Sequence, residues 1–398
     1  MKWGKARIMV FNNEKNVLIL TTVSGFLCKF QKENVKILQK LGYQVFYATN
    51  TLEQHYLFDE HEFEDMRVTV CHVDIARSPY MIRNYKSALR QLKDIVKKYN
   101  IKVVHCHAPV GGILGRILGK YFREQELKII YTAHGFHFYK GAPFINRTIY
   151  YAVEKLAARF TDRLIVINEE DYQSAQKFHL RKKGELHKIA GVGLDLNLFK
   201  PLETTVRDKK RRKIGIQEDT FFLLSVGELN ENKNHEVVLK ALHKMKQEGR
   251  AMKSLKYGIC GEGFFREKLI KKIQEFGLED IVILFGYQVQ IEEIQGCADV
   301  SIFPTQREGL GMAALEALAM GVPVIAADNR GTREYMEHGK NGFVCEYDDV
   351  DGFIQWIDTM RNIDETKRKD MQEYARKSVM KFDRGIVGKV MYDIYSKL

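Results

Sequence analysis

The chain has 398 residues, too many for one ordinary core and enough for two domains of roughly 190 residues each. Apolar residues make up 45%, which excludes a disordered or fibrous chain, and no stretch approaches the ~18–20 uninterrupted apolar residues of a membrane-spanning helix. The net charge of +12 lies wholly in residues 1–195, with 31 Lys and Arg against 19 Asp and Glu, whereas residues 196–398 carry 32 of each.

The amino end, Met1 to Arg7, is basic. The apolar run behind it, Ile8 to Phe11, is too short for a signal peptide, so the protein is expected in the cytoplasm. The next apolar run, Val17-Leu18-Ile19-Leu20, leads into the loop Thr21–Gly25. Apolar positions at Val35, Leu38 and Leu41 predict a helix ending at Gly42, and a second strand follows over Gln44–Ala48. The β-α-β pattern repeats: a helix over 85–99, then strands at Lys102–His105, Lys128–Tyr131 and Arg163–Ile167. Short continuous apolar strands alternating with helices predict a parallel sheet covered on both faces.

Gly191–Asp195 through Lys200-Pro201 reads as a linker. The basic run Arg207–Lys213 reads as the solvated start of a helix rather than a nucleic-acid patch. Strands then resume over Phe221–Val226, Tyr257–Cys260, Ile281–Phe285, Val300–Phe303 and Val322–Ala326. The expectation is two doubly wound α/β domains facing a central cleft, over 1–195 and 196–382. A last helix, about 383–398, returns to the first domain. Ligands in such sheets sit at the carboxyl ends of the strands.

The six cysteines (28, 71, 106, 260, 297 and 345) show no Cys-x-x-Cys and no zinc spacing, and read as reduced, mostly buried thiols. His105 and His107 share a strand face but have no third ligand nearby. No Asp-x-Asp ends a strand as a metal–diphosphate anchor; Asp349-Val350-Asp351 reads as the start of a helix through Trp356. No metal is expected. A basic first half suits nucleic acid, an anionic membrane or a polyanionic ligand, and equally a solvated surface.

The densest constellation is Arg307-Glu308-Gly309-Leu310-Gly311-Met312-Ala313-Ala314-Leu315-Glu316-Ala317, directly after a strand. Two glycines before an Ala/Leu-rich helix let the backbone approach a ligand, and the helix's free N–H groups suit a diphosphate. Were the segment helical throughout, Glu308 and Glu316 would stand about 12 Å apart, too far to flank one bond as in a hydrolase. Two ends of a long ligand fit that spacing. On spacing alone, a dipole-favouring Glu and a solvated helical Glu fit it equally.

This block resembles the Glu-x7-Glu motif of family 4 glycosyltransferases. The segment Phe222 to Asn234 resembles the first strand and loop of that family's donor domain, and Gly261-Glu262-Gly263, Phe285-Gly286-Tyr287, Ala298 to Pro304 and Gly339 to Phe343 match later positions, in order. In the first half, His105-Cys106-His107-Ala108-Pro109 and Thr132 to Phe138 resemble the branch that builds capsules and exopolysaccharides. The resemblance runs from about Val17 onward. It implies a GT-B fold of two Rossmann-like domains and a retaining transferase using a UDP-sugar, with UDP-N-acetylhexosamine one candidate. A lipid-linked saccharide on the inner membrane face is the implied acceptor, and the basic first half agrees with an anionic surface there.

Residue by residue, the resemblance places Glu308 at the donor sugar and Glu316 at the ribose. Backbone around Leu310, Gly311 and Met312 faces the phosphates, and Lys233, six residues after Gly227, pairs with the diphosphate. His134 reaches the donor sugar from the first domain, Tyr287 and Gln288 line the nucleobase pocket, and Gly25 and His107 lie on the acceptor side. One departure stands out. Many relatives carry Arg after the glycine matching Gly227, where this chain has Glu228; Arg330 is the candidate replacement. No carboxylate is placed as a covalent nucleophile, so the family's front-face route is implied. A nucleotide-sugar epimerase and a non-catalytic sugar-nucleotide binding subunit are the alternatives. A dehydrogenase is disfavoured because no Gly-x-Gly-x-x-Gly follows the first strand.

Overall fold

The computed structural model describes residues 15–53, 60–76 and 82–398, so the basic amino end and the run Ile8–Phe11 lie outside the described residues. The chain divides into two units, Met1–Val192 with Gly388–Leu398, and Gly193–Val387.

The first unit runs β1 (Asn16–Leu20), α1 (Phe26–Phe30), α2 (Lys32–Lys40), β2 (Gln44–Thr49), α3 (Glu60–Asp65), β3 (Thr69–His72) and α4 (Ile82–Lys98). It continues with β4 (Val103–His107), α5 (Pro109–Tyr121), β5 (Lys128–Ala133), α6 (Phe144–Ala158), β6 (Arg163–Val166), α7 (Glu169–Ala175) and β7 (Glu185–Lys188). The strands form one parallel sheet in the order β3-β2-β1-β4-β5-β6-β7. Val17 to Leu20 are fully enclosed. A strand covered on both faces has no polar side to show, hence its unbroken apolar run. The strand order reverses between β1 and β4. The loops leaving these two strands therefore diverge and leave room for a ligand at their carboxyl ends.

The second unit opens with α8 (Thr204–Lys213), β8 (Phe221–Val226), α9 (His235–Gln247), β9 (Leu255–Cys260), α10 (Arg266–Glu275) and β10 (Val282–Gly286). Then come α11 (Glu292–Gln295), β11 (Val300–Phe303), α12 (Met312–Ala319), β12 (Val324–Ala327), β13 (Gly342–Cys345), α13 (Val350–Asn362) and α14 (Glu365–Ser378). Its sheet is parallel in the order β10-β9-β8-β11-β12-β13, with the reversal between β8 and β11. A final helix, α15 (Arg384–Ser396), begins in the second unit and ends in the first, where the Tyr395 hydroxyl meets His105 Nδ1 at 2.8 Å.

One expectation is corrected. The basic run in α8 is solvated only in part, with Lys209, Arg212 and Lys213 exposed. Arg211 is buried and donates to the carbonyls of Cys297, Gln217 and Thr220 and to Asp299; Arg207 reaches the same carboxylate at 2.7 Å. Removing Asp299 would strand a buried guanidinium, a loss of about 3–5 kcal/mol. The reading of Asp349 agrees with the structure, since its side chain caps α13 by accepting from the Gly352 N–H at 2.8 Å. All six cysteines are free thiols.

Candidate active site

In the second unit the loops leaving β8, β9, β11 and β12 converge at the carboxyl edge of the sheet. Gly261, at φ +151°, brings the β9 loop so close to the β8 loop that a Cβ there would stand 1.8 Å from the Gly227 carbonyl oxygen. Only glycine allows this approach. The β8 loop folds back so that the Asn230 side chain accepts from the Lys233 N–H at 3.0 Å, laying the lysine's methylenes over Gly227. The β8 and β11 loops are laced by Gln306 N–H to Asn232 O at 2.9 Å and Asn232 Nδ2 to Arg307 O at 3.1 Å. At the end of this lacing, Lys233 Nζ meets Glu308 Oε1 at 2.5 Å.

Glu308 precedes α12 and Glu316 lies within it, so a helical rise does not set their separation. Gly311, at φ +92°, is the N-cap; a Cβ there would come within 2.9 Å of the Phe303 ring and the Tyr335 hydroxyl. Gly311 offers α12 no side-chain cap, which leaves the helix's first N–H groups and positive dipole end facing outward for an anion. Leu310 is buried beneath this turn, while Met312 and Glu316 are half-buried. The β12 loop is held by Asn329, which accepts from the Gly331 and Thr332 N–H groups and donates to Thr305 O at 2.9 Å. That hold presents Arg330, whose Nε donates to the Glu308 carbonyl at 3.2 Å.

Lys233, Glu308, Arg330 and the start of α12 are thus brought together. Tyr287 and Gln288 are not joined to them by any contact described. They follow β10 at the sheet edge, Tyr287 exposed and Gln288 donating to Phe285 O at 2.6 Å. Glu228 stays in the β8 loop, where its carbonyl accepts from the Asn230 N–H at 2.9 Å.

In the first unit the Thr21–Gly25 loop is pinned by the Tyr47 hydroxyl, 2.7 Å from Thr21 Oγ1 and 2.9 Å from the carbonyls of Val23 and Ser24. Burial pushes that phenol up to about 12. Gly25 is the N-cap of α1, and the next residue, Phe26, packs on both His107 and His134, with ring centroids 5.4 and 5.3 Å away. His107 Nδ1 lies 3.1 Å from His134 Nε2. His107 is buried, and its Nε2 has no partner among the described residues. Both nitrogens of His105 are engaged, with the Tyr395 hydroxyl and Thr132 Oγ1.

Burial holds His105 down to about 3, and His107 well below its ordinary value. Burial likewise lowers His134, to about 4. The three imidazoles are therefore neutral at physiological pH. Among the described residues, no group of three or more His, Cys, Asp or Glu is arranged to hold a metal.

Sequence reasoning missed Phe26, Asn230 and Tyr395. Phe26 directly follows the loop singled out, a signal that could have been used. Tyr395 is 290 residues from His105 and gave none. A cavity of about 520 Å³ also opens at the opposite, amino ends of β8 and β9, beside Phe221, Arg250 and Arg361. It contains none of the candidate residues, and in a doubly wound sheet the carboxyl ends are where ligands bind.

Comparisons with known proteins agree with this architecture. The family model described as Glycosyl transferase 4-like matches residues 16–168, and that described as Glycosyl transferases group 1 matches residues 206–378. EpsD of Bacillus subtilis, named as a glycosyltransferase, is 36% identical over 382 residues, 96% of each chain. An Escherichia coli enzyme named UDP-Gal:alpha-D-GlcNAc-diphosphoundecaprenol alpha-1,3-galactosyltransferase is 28% identical over 281 residues, 70% of this chain and 71% of its own. The fold is similar to that of Anabaena HepE, solved in complex with UDP, with a TM-score of 0.75 and 19% identity over 96% of this chain and 100% of that one.

Proposed function

The chain belongs to glycosyltransferase family 4 and has the GT-B fold, and on that footing we propose that it is a retaining transferase using a UDP-sugar donor. UDP-N-acetylhexosamine is one such donor. The acceptor in this reading is a lipid-linked saccharide of capsule or exopolysaccharide synthesis, met by a peripheral protein at the anionic inner face of the membrane. The Escherichia coli relative, whose name gives a UDP-sugar and a diphosphoundecaprenol-linked acceptor, supports both substrate classes.

The observation that carries the reading is Lys233 on Glu308 beside the uncapped start of α12. A diphosphate arriving there is attracted by the lysine and the helix N–H groups. As Lys233 turns to phosphate, Glu308 is released to accept hydrogen bonds from sugar hydroxyls. The bond between the anomeric carbon and the phosphate oxygen then breaks as the acceptor oxygen bonds on the same face. The acceptor's proton passes to the departing phosphate oxygen. Lys233 and the α12 N–H groups stabilise the charge that develops there. His134 contributes a neutral imidazole to the donor sugar, Glu316 takes the ribose, and no metal ion is required.

The test incubates the protein with a panel of nucleotide sugars and membrane lipids, following nucleotide release and the product's anomeric configuration. UDP release that needs both the sugar nucleotide and lipid, with configuration retained, is the expected result. An inverted product, or release from no UDP-sugar, would overturn the reading.

A further inference from the structure

Helix α6 carries two apolar faces, and only one of them is used by the fold. Tyr151, Glu154 and Ala158 point inward: Ala158 joins the core, Tyr151 packs on it, and Glu154 is buried against Arg116 at 2.6 Å. On the far side, Ile145, Ile149, Ala152 and Leu156 follow at i, i+4, i+7 and i+11, the spacing of a single helical stripe. Ile145, Ile149 and Leu156 are 68%, 56% and 58% exposed, and Phe144 at the helix start is 73% exposed. Singly exposed apolar residues need no explanation, but an aligned stripe does.

The exposed charge on α6 itself is of one sign, while the exposed acids Glu124 and Glu126 lie beyond the end of α5. Arg147, Lys155 and Arg159 are exposed on or directly after α6, and Lys140 precedes it. The helix's single carboxylate, Glu154, is the buried one. Helix α5 packs against α6 and adds exposed Ile117 and Tyr121 beside exposed Lys120 and Arg123. Apolar side chains flanked by cations, with no exposed acid on the helix, match a surface whose interior is hydrocarbon and whose headgroups are anionic. The long basic side chains can reach headgroups while their stems follow the apolar strip.

We infer that the outer face of α6 is a docking surface for an anionic lipid bilayer, lying in the headgroup plane with Phe144, Ile145, Ile149 and Leu156 inserted. This deepens the proposal of a membrane-bound acceptor and takes only its purpose from it. Vesicle binding is measured without acceptor or donor, so its result stands apart from any test of transfer.

The experiment sediments the protein with phosphatidylcholine vesicles, with and without phosphatidylglycerol. Wild type should partition onto the anionic vesicles and be released by salt. The triple variant Ile145→Ser, Ile149→Ser, Leu156→Ser should lose about 10-fold or more of that partition, because the inserted area is removed. The pair Lys155→Glu, Arg159→Glu should lose the preference for phosphatidylglycerol. All these side chains are exposed, so thermal unfolding should match wild type and separate lost docking from lost fold. Undiminished vesicle binding by the triple variant would overturn the inference. So would a wild-type dimer that the triple variant converts to monomer with vesicle binding unchanged, since the stripe would then be an interface between copies. If the vesicle results hold and no sugar transfer is found, the docking surface stands and the proposed substrates fall.

Discussion

Lys233 Nζ stands 2.5 Å from Glu308 Oε1, so the cation proposed for the donor phosphates and the carboxylate proposed for the donor sugar hold each other. Both side chains are mostly enclosed, so salt screens their attraction less than that of a surface ion pair, and removing either one leaves the other's charge poorly hydrated. A donor must part them, and each then meets its own portion of the ligand.

Glu308→Ala should therefore lower transfer by about 100-fold or more, since it removes contacts made at the reacting sugar. UDP affinity should hold or rise in that variant, because Lys233 is freed. Lys233→Ala should instead weaken UDP by about 1.5–3 kcal/mol, the range for a charged hydrogen bond. Turnover assays and calorimetric titration with UDP separate the two. Equal losses of UDP affinity in both variants would show that the roles are not divided this way.

Arg330 donates from Nε to the Glu308 carbonyl, which places a guanidinium beside the pair in a chain that has a carboxylate, Glu228, directly after Gly227. A planar guanidinium can bind phosphate bidentately, which lysine cannot reproduce. Arg330→Ala should lose about 2 kcal/mol of UDP affinity and Arg330→Lys a substantial part of it. Glu228→Arg should partly restore the alanine variant. Unchanged UDP affinity in Arg330→Ala would leave Lys233 as the phosphate's side-chain partner and confine Arg330 to bracing the loop.

The buried histidines tie stability to pH. Burial holds His105 and His235 each at about 3, below the ordinary 6.5. Between those values the unfolded chain binds protons that the folded chain refuses. Stability therefore falls as pH drops below 6.5, by up to about 1.4 kcal/mol per pH unit for each histidine. His235 is lowered first by burial and then by the charge of Lys233, with a backbone contact at Glu228 opposing them, so His235→Leu should flatten its share of that slope. Urea unfolding at a series of pH values reads this directly. A slope identical to wild type in the leucine variant would place the acid sensitivity elsewhere.

Excess EDTA should leave transfer nearly intact, because the phosphate charge is assigned to Lys233 and the N–H groups of α12. Activity that collapses and returns on adding magnesium or manganese would reveal a cation in the donor site.

What could be read beforehand was what is local. β1 and β8 are enclosed on both faces and spell that out as continuous apolar runs. The glycines before α12 announce a turn, and Glu308, Lys233 and Arg330 could be placed on loops because strands end before them. Contacts closed by distant segments could not be read. Arg211 sits in a run of charges that looks solvated until Asp299, 88 residues on, reaches it. The contact of Lys233 with Glu308 spans 75 residues and depends on how two loops are laced. The inward face of helix α6 was not legible for another reason. Apolar residues on two of its sides leave the inward face undecided until Arg116 draws in Glu154.

Helix α15 gives the order of synthesis a consequence. The first unit is completed by Gly388–Leu398, where Tyr395 meets His105 and the Lys397 carbonyl accepts from Arg163. Those residues leave the ribosome only after the whole of Gly193–Val387. The unit that is begun first is therefore finished last. Until then the His105 ring lacks one partner and the surface under α15 is uncovered, while the second unit has all of its own chain in hand.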